Sequence, residues 1–152
     1  MIVMILDSAA LCHYVKILAL AIGMDEEQAD ELRMAATMHD IGKIAIPDNI
    51  LLKPGKLDEE EFNHMKKHVK VGASILDTPR SSLISLARNI ALTHHEKWDG
   101  TGYPEGLVGK EIPIEGRLAA IADVFDALTS ERPYKKAWPI DEAVMFIEQQ
   151  TG

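Results

Sequence analysis

Apolar residues recur at helical spacing along nearly the whole chain. Val15, Leu18, Ala19 and Ile22 share one face of a first helix, with Gly23 as its stop. Asp25 and Gln28 form a capping box that opens a second helix, on which Leu32, Ala35, Ala36 and His39 share a face and Gly42 marks the end. The stretch from Lys43 to Lys56 carries Pro47, Pro54 and Gly55, which predicts an ordered loop pinned to the helices by Ile44, Ile46, Ile50, Leu51 and Leu52. A second capping box, Asp58 with Glu61, opens a helix whose inward stripe is Phe62, Met65, Val69, Gly72, Ile75 and Leu76. After Asp77-Thr78-Pro79, a helix from about Ser81 turns Leu83, Leu86, Ala87, Ile90 and Ala91 inward, and the same face continues to His94. A loop rich in glycine and aromatics follows, and then a helix from roughly Ile114 to Leu128 with Leu118, Ile121, Ala122, Phe125 and Leu128 as its core side. Pro139 and Asp141 open a final helix that stops at Gly152 with few inward residues.

The apolar stretch from Met1 to Met24 is read as a buried helix. Asp7, His13 and Lys16 interrupt it, no basic segment precedes it, and no small-residue cleavage site follows. With 152 residues the chain amounts to one domain, large enough to bury a core without staples. Cys12 is its single cysteine, which excludes an internal disulfide and fits a reducing cytoplasm; its plainest role is that of a small buried apolar residue. The formal net charge of -8 argues against a nucleic-acid polymer as partner, because such binding needs many phosphate-neutralising Lys and Arg. A small phosphate ester stays compatible if metals supply positive charge locally. Internal repeats and low-complexity segments are absent.

The chemistry gathers around Met38-His39-Asp40-Ile41-Gly42-Lys43. An imidazole offers one neutral nitrogen and a carboxylate two oxygens, so His39 and Asp40 together can hold one cation while the carboxylate reaches a second. Of the other histidines, His68 neighbours an apolar stripe, whereas His64 reads as solvated or supporting. The doublet His94-His95 sits where a helix meets a loop. Adjacent residues on a regular helix diverge by about 100°, so two neighbours can aim at one cluster only near such an end. Two helix-terminal histidines favoured by the helix dipole are the plain alternative. Asp123 is an acid flanked on both sides by apolar residues and needs a cation or several donors if buried. Asp126 reads as outward or helix-stabilising. Arg132, Lys135 and Lys136 form either a solvated basic patch or an anion clamp.

In order and spacing, His39-Asp40-Ile41-Gly42-Lys43, Met65-Lys66-Lys67-His68, His94-His95-Glu96-Lys97-Trp98-Asp99-Gly100-Thr101-Gly102-Tyr103-Pro104, the run Ile121 to Ser130 and Arg132-Pro133-Tyr134-Lys135 resemble the HD-GYP subgroup of the HD phosphohydrolases. The resemblance runs from about His13 to the end. It implies an all-α fold, an HD-domain-like bundle of about six to seven helices with a metal site in its core. It also implies a cytoplasmic, metal-dependent phosphodiesterase that hydrolyses cyclic di-GMP through a metal-bridged hydroxide. Carried over residue by residue, the metal ligands fall on His39, Asp40, His68, His94, His95 and Asp123, with Asp40 as the bridge. Lys43 corresponds to a proton donor for the departing sugar oxygen, so Lys43 and Asp40 form the catalytic pair. Arg132 and Lys135 match substrate-contacting positions, and Gly102, Tyr103 and Pro104 belong to the loop that names the subgroup. Two divalent first-row ions are expected, iron or manganese by preference, since the donors are nitrogen and oxygen without thiolate. Partners implied are cyclic di-GMP, a diguanylate cyclase (GGDEF) domain and a second copy of the chain, with neither membrane nor nucleic-acid polymer.

One departure lies at the start of the chain. Registration on the family pattern places an early His ligand at Asp7, a further Glu ligand at Val3 and an Arg at Ala10. Val3 cannot ligate; Asp7 can, because a carboxylate substitutes for imidazole on a hard cation. Residues 1–152 are therefore expected to form a single HD-GYP-like domain that lacks its extreme N-terminal ligand region and its last C-terminal helix. An active phosphodiesterase is the leading reading. The alternative is a degenerate domain that binds nucleotide or a diguanylate cyclase partner through the Gly102-Tyr103-Pro104 loop without turnover.

Overall fold

A computed structural model describes residues 9–78, 81–131 and 136–150 of the chain. Among these, the regular elements are helices: α1 (Ala9–Ala21), α2 (Glu26–Ala36), the single-turn α3 (Asp48–Leu51), α4 (Glu59–Met65), α5 (Lys67–Ile75), α6 (Ser82–Thr93), α7 (Ile114–Thr129) and α8 (Ile140–Gln149). Two 3-10 turns, Ile41–Ala45 and Gly109–Glu111, complete the set, and the one extended pairing among the described residues is an isolated antiparallel bridge between Asp99 and Val108. None of the described helices is long and apolar enough to cross a membrane.

Both capping boxes form as the sequence predicts. Asp25 accepts from the Gln28 backbone at 2.8 Å and the Gln28 side chain returns to the Asp25 N–H, while Asp58 and Glu61 do the same at the start of α4. Gly23, at φ +94, ends the first helical segment in the left-handed conformation that glycine adopts without strain. The core is built from Leu11, Cys12, Val15 and Ala19 of α1, Ala29, Leu32, Ala35 and Ala36 of α2, Ala87, Ile90 and Ala91 of α6, and Leu118, Ala119 and Ala122 of α7. So many alanines let helix axes approach closely: α1 packs on α2 and α7, and α6 packs on α2, α5 and α7. The ends of these helices, rather than their middles, surround the histidines.

Four details differ from the sequence-based expectation, each for a local reason. α2 ends at Ala36, with Thr37 as its cap, and Gly42 instead lies in the 3-10 turn that packs on α5. The stretch predicted as a loop after Lys43 contains that turn and α3; Ile46 is buried, but Ile44 and Leu52 face solvent. The helix expected from Asp58 to Leu76 breaks at Lys66 into α4 and α5, so its stripe does not stay in register and Phe62 (45% exposed) and Ile75 (47%) fall outside the core. Ile22 and Ile121 are likewise exposed, whereas Asp126, expected to be outward or helix-stabilising, is buried and accepts the Ser130 hydroxyl at 3.1 Å at the end of α7.

Candidate metal centre

The histidines stand at helix ends, where a helix leaves its last carbonyls without internal partners. His39 lies three residues beyond the end of α2, and its Nδ1 is 2.8 Å from the Ala36 carbonyl. His68 follows the α4–α5 break, with Nδ1 2.8 Å from the Met65 carbonyl; His94 caps α6, with Nδ1 2.9 Å from the Ile90 carbonyl. A carbonyl only accepts, so each Nδ1 carries the proton and donates it. The neutral ring therefore presents an Nε2 lone pair on its far side. Three helix ends thereby aim three lone pairs inward.

All three point at Asp40. His68 Nε2 is 3.4 Å and His94 Nε2 3.8 Å from Asp40 Oδ1, whereas His39 Nε2 is 3.3 Å from Asp40 Oδ2. Lys43 Nζ donates to the same Oδ2. The carboxylate thus has two faces, one turned to His68 and His94 and the other to His39 and Lys43. His95 completes the first group: one donor atom from each of Asp40, His68, His94 and His95 lies within 4.8 Å of every other. His39, His68 and His94 are buried, to 5%, 1% and 2% exposure.

Electrostatics sharpen the picture. Burial drives His68, His94 and His95 toward the neutral form, His94 well below the ordinary histidine range and His95 down to about 3, aided by neighbouring imidazoles. For Asp40, burial works to raise the carboxyl pKa, but His39 and Lys43 outweigh it and hold the group far below the usual range. The same pairing lifts His39 against its own burial. Asp40 is consequently ionised, and its Oδ1 faces the unprotonated nitrogens of His68 and His94. Among the described residues, Asp40 Oδ1, His68 Nε2 and His94 Nε2 are buried with no hydrogen-bond partner. Three acceptors directed at one another in a desolvated space are costly unless a cation lies between them. One carboxylate oxygen and three imidazole nitrogens fit a first-row divalent ion.

The remaining sequence-predicted residues divide three ways. Tyr103 is brought to the cluster, its ring stacked on His95 with centroids 4.9 Å apart and planes at 28°, and burial pushes its phenol pKa upward. Gly102 and Pro104 flank it in a loop closed on the doublet by the Tyr103 N–H, 3.1 Å from the His95 carbonyl. Asp123, on α7, is near enough to act electrostatically on His39 and Tyr103, but stands outside the four-donor group. Val3, Asp7, Arg132 and Lys135 lie outside the described residues. Beside the doublet and Asp123, a cavity of about 770 Å³ extends between α7 and α8 past Trp98, Ile121 and Phe146; Asp40 and His68 do not line it. The sequence gives no sign of Glu96, an acid only 4% exposed directly after the doublet, because nothing in composition or spacing distinguishes it from a solvated loop acid.

The family model described as the HD domain matches residues 4–152. Among curated proteins, the chain is 51% identical over 140 residues to the cyclic di-GMP phosphodiesterase response regulator RpfG of Xanthomonas campestris pv. campestris, covering 92% of the chain and 37% of that protein. It is 54% identical over 130 residues to a cyclic di-GMP phosphodiesterase of Thermotoga maritima (86% and 35%). It is also 54% identical over 139 residues to the 3'3'-cGAMP-specific phosphodiesterase 2 of Vibrio cholerae (91% and 27%). The chain thus spans about a third of the length of the curated relatives it matches. A crystal structure of a cyclic GMP-AMP specific phosphodiesterase of Vibrio cholerae superposes with a TM-score of 0.66 at 18% identity, covering 96% of the chain and 40% of that structure, which supports the fold. Matched from residue 4 to its end and carrying the His39-Asp40 pair at the centre of a helical bundle, the chain belongs to the HD domain family, in its HD-GYP branch.

Proposed function

We propose that this chain is the hydrolytic domain of a metal-dependent phosphodiesterase acting on cyclic di-GMP. The observation that carries the reading is the convergence of Asp40, His68, His94 and His95, the middle two fully buried and the outer two half-buried, whose donor atoms lie within 4.8 Å of one another. Relatives named as phosphodiesterases of cyclic dinucleotides support the substrate class. Asp40 Oδ1 with His68, His94 and His95 would hold one divalent ion; Asp40 Oδ2 with His39 and Asp123, joined by Asp7, would hold a second. Iron and manganese suit this donor set best. When bound, such ions neutralise a phosphodiester's charge and make water a competent nucleophile near neutral pH.

The chain's own residues supply the rest. A phosphodiester repels a nucleophile through its own negative charge, and a sugar alkoxide is a poor leaving group unless it is protonated as it departs. Lys43 is kept beside the cluster by its ion pair with Asp40 Oδ2. From there its Nζ gives a proton to the departing sugar oxygen as the water oxygen bonds to phosphorus and the P–O ester bond breaks. Solvent then returns a proton to Lys43 and takes the one shed by the attacking water. Arg132 and Lys135 clamp the substrate's phosphate and base, and Tyr103, held against His95, forms one wall of the site. The free, buried Cys12 fits a cytoplasmic setting.

The test is hydrolysis of cyclic di-GMP, with 3'3'-cGAMP in parallel, by protein reconstituted anaerobically with Fe²⁺ or Mn²⁺. Linear dinucleotide or GMP should appear from cyclic di-GMP. Retention of nucleotide by metal-loaded protein with no product would replace this reading with that of a binding domain.

A further inference from the structure

His95 differs from the other histidines of the cluster in how it is held. His39, His68 and His94 are each oriented by a backbone carbonyl at 2.8–2.9 Å from Nδ1. Among the described residues, no backbone carbonyl accepts from the His95 ring, which instead stands against the rings of His94 at 4.0 Å, His68 at 5.2 Å and Tyr103 at 4.9 Å, the last stacked with its plane at 28°. The direction of its lone pair therefore depends on where the Tyr103 loop sits. The near side of that loop is joined to the doublet by the Tyr103 N–H, which donates to the His95 carbonyl at 3.1 Å, and its base by the Asp99–Val108 bridge, but Pro104 offers no N–H to hold the far side.

What holds the far side is Glu96. The residue is only 4% exposed, and its carboxylate accepts the Glu105 N–H on Oε1 at 2.8 Å and the Leu107 N–H on Oε2 at 3.1 Å. Such charge-assisted pairs are about twice as strong as neutral hydrogen bonds, and they compensate a buried carboxylate that would otherwise be costly. The near side of the loop is clamped sterically: a Cβ on Gly102 would lie 2.3 Å from the Lys97 nitrogen and 2.5 Å from the Glu96 Cα. Gly102 thus lies directly against the backbone that carries the doublet, and Glu96 ties down the far side. Tyr103, between the two fastenings, has little freedom except to cover His95.

We infer that Glu96 is a positioning residue for the metal centre: by gripping the backbone of Glu105 and Leu107 it holds Tyr103 against His95 and so sets the aim of the one cluster histidine that lacks a carbonyl anchor. This rests on the metal-dependent reading above. Outer groups that orient metal-binding side chains typically change metal affinity by about 10–100-fold.

The test is Mn²⁺ titration, by calorimetry or by the loss of free-ion EPR signal, of wild type, Glu96→Gln, Tyr103→Ala, Tyr103→Phe and the Glu96→Gln/Tyr103→Ala double variant. Glutamine keeps the shape of Glu96 but turns an amide N–H₂ toward a backbone donor, which opens the clamp. Glu96→Gln and Tyr103→Ala should each weaken Mn²⁺ binding by about tenfold or more. The double variant should be no worse than the weaker single one, and Tyr103→Phe, which keeps the ring, should bind as wild type does. Multiplying effects in the double variant, or wild-type affinity in Glu96→Gln with only a lower melting temperature, would mean that Glu96 serves the fold alone. If Glu96→Gln does not fold, Tyr103→Ala against Tyr103→Phe still decides: equal affinities overturn the inference. A wild-type protein that takes up no Mn²⁺ would instead remove the metal-dependent reading on which all of this stands.

Discussion

Gly42→Ala is the smallest change that should dismantle the site without touching any donor. No left-handed φ demands a glycine at 42; space does. A Cβ there would lie 1.9 Å from the His68 carbonyl oxygen and 2.5 Å from the Gly72 nitrogen, both of them backbone atoms of α5 that no rotamer change can move. To bring that contact out to even 3.0 Å, the turn carrying Asp40 and Lys43 must retreat from α5 by about 1.1 Å. Asp40 Oδ1 and His68 Nε2, now 3.4 Å apart across the same interface, would separate with it. Metal–ligand distances tolerate only about 0.2 Å. Overpacking of this kind costs roughly 1–3 kcal/mol, which for a chain of this size lowers the melting temperature by about 2–12 °C. Divalent-ion affinity should fall much further than the stability loss alone explains, because His39 and His68 no longer face one carboxylate. Thermal melts of the chelator-treated variant, followed by Mn²⁺ titration of the same sample, measure both. A Gly42→Ala protein that melts with wild type and binds Mn²⁺ equally would refute the account of how the 3-10 turn is seated on α5.

Lys43→Ala should reduce turnover by roughly 10²–10⁴-fold at unchanged metal content, as expected for loss of a general acid; equal loss of metal and activity in elemental analysis would make the lysine a support for Asp40 instead. Arg132→Ala and Lys135→Ala should each weaken cyclic di-GMP binding by about 1.5–3 kcal/mol per lost charged hydrogen bond, with little change in melting temperature; calorimetry and a thermal melt separate the two effects. Asp7→Ala should empty one metal position first while Asp7→His holds metal at least as well as the parent, and three identical titration curves would take Asp7 out of the site.

Much of this arrangement was legible in the sequence, and where it was not the reason is physical. The capping boxes at Asp25 and Asp58 are local, so spacing alone placed two helix starts. The doublet at a helix end was legible for a similar reason: His94 must leave the regular helix if both rings are to meet, and it does cap α6. Gly42 was misread because a glycine that stops a helix and a glycine that admits another backbone look alike in one dimension; only α5, distant in sequence, distinguishes them. The break at Lys66 is hidden because Phe62, Met65 and Val69 keep a helical period across it; the local bond from the His68 ring to the Met65 carbonyl that marks it leaves no trace in the hydrophobic pattern. The burial of Asp126, which the sequence leaves as outward or helix-stabilising, and of Glu96 is hidden because their partners, Ser130 in one case and the backbone of residues 105 and 107 in the other, leave no mark in the charge pattern.

The cluster of Asp40, His68, His94 and His95 is proposed to hold a metal for phosphodiester hydrolysis. That role is tested most directly by following cyclic di-GMP hydrolysis with protein stripped by chelator and then titrated anaerobically with Mn²⁺ or Fe²⁺ while bound metal is counted. The account predicts no turnover in the stripped protein, and activity that rises with metal and reaches its plateau at about two ions per chain, the content of a two-metal site. Full hydrolysis by the stripped protein, or a metal-saturated protein that leaves cyclic di-GMP intact, would contradict it.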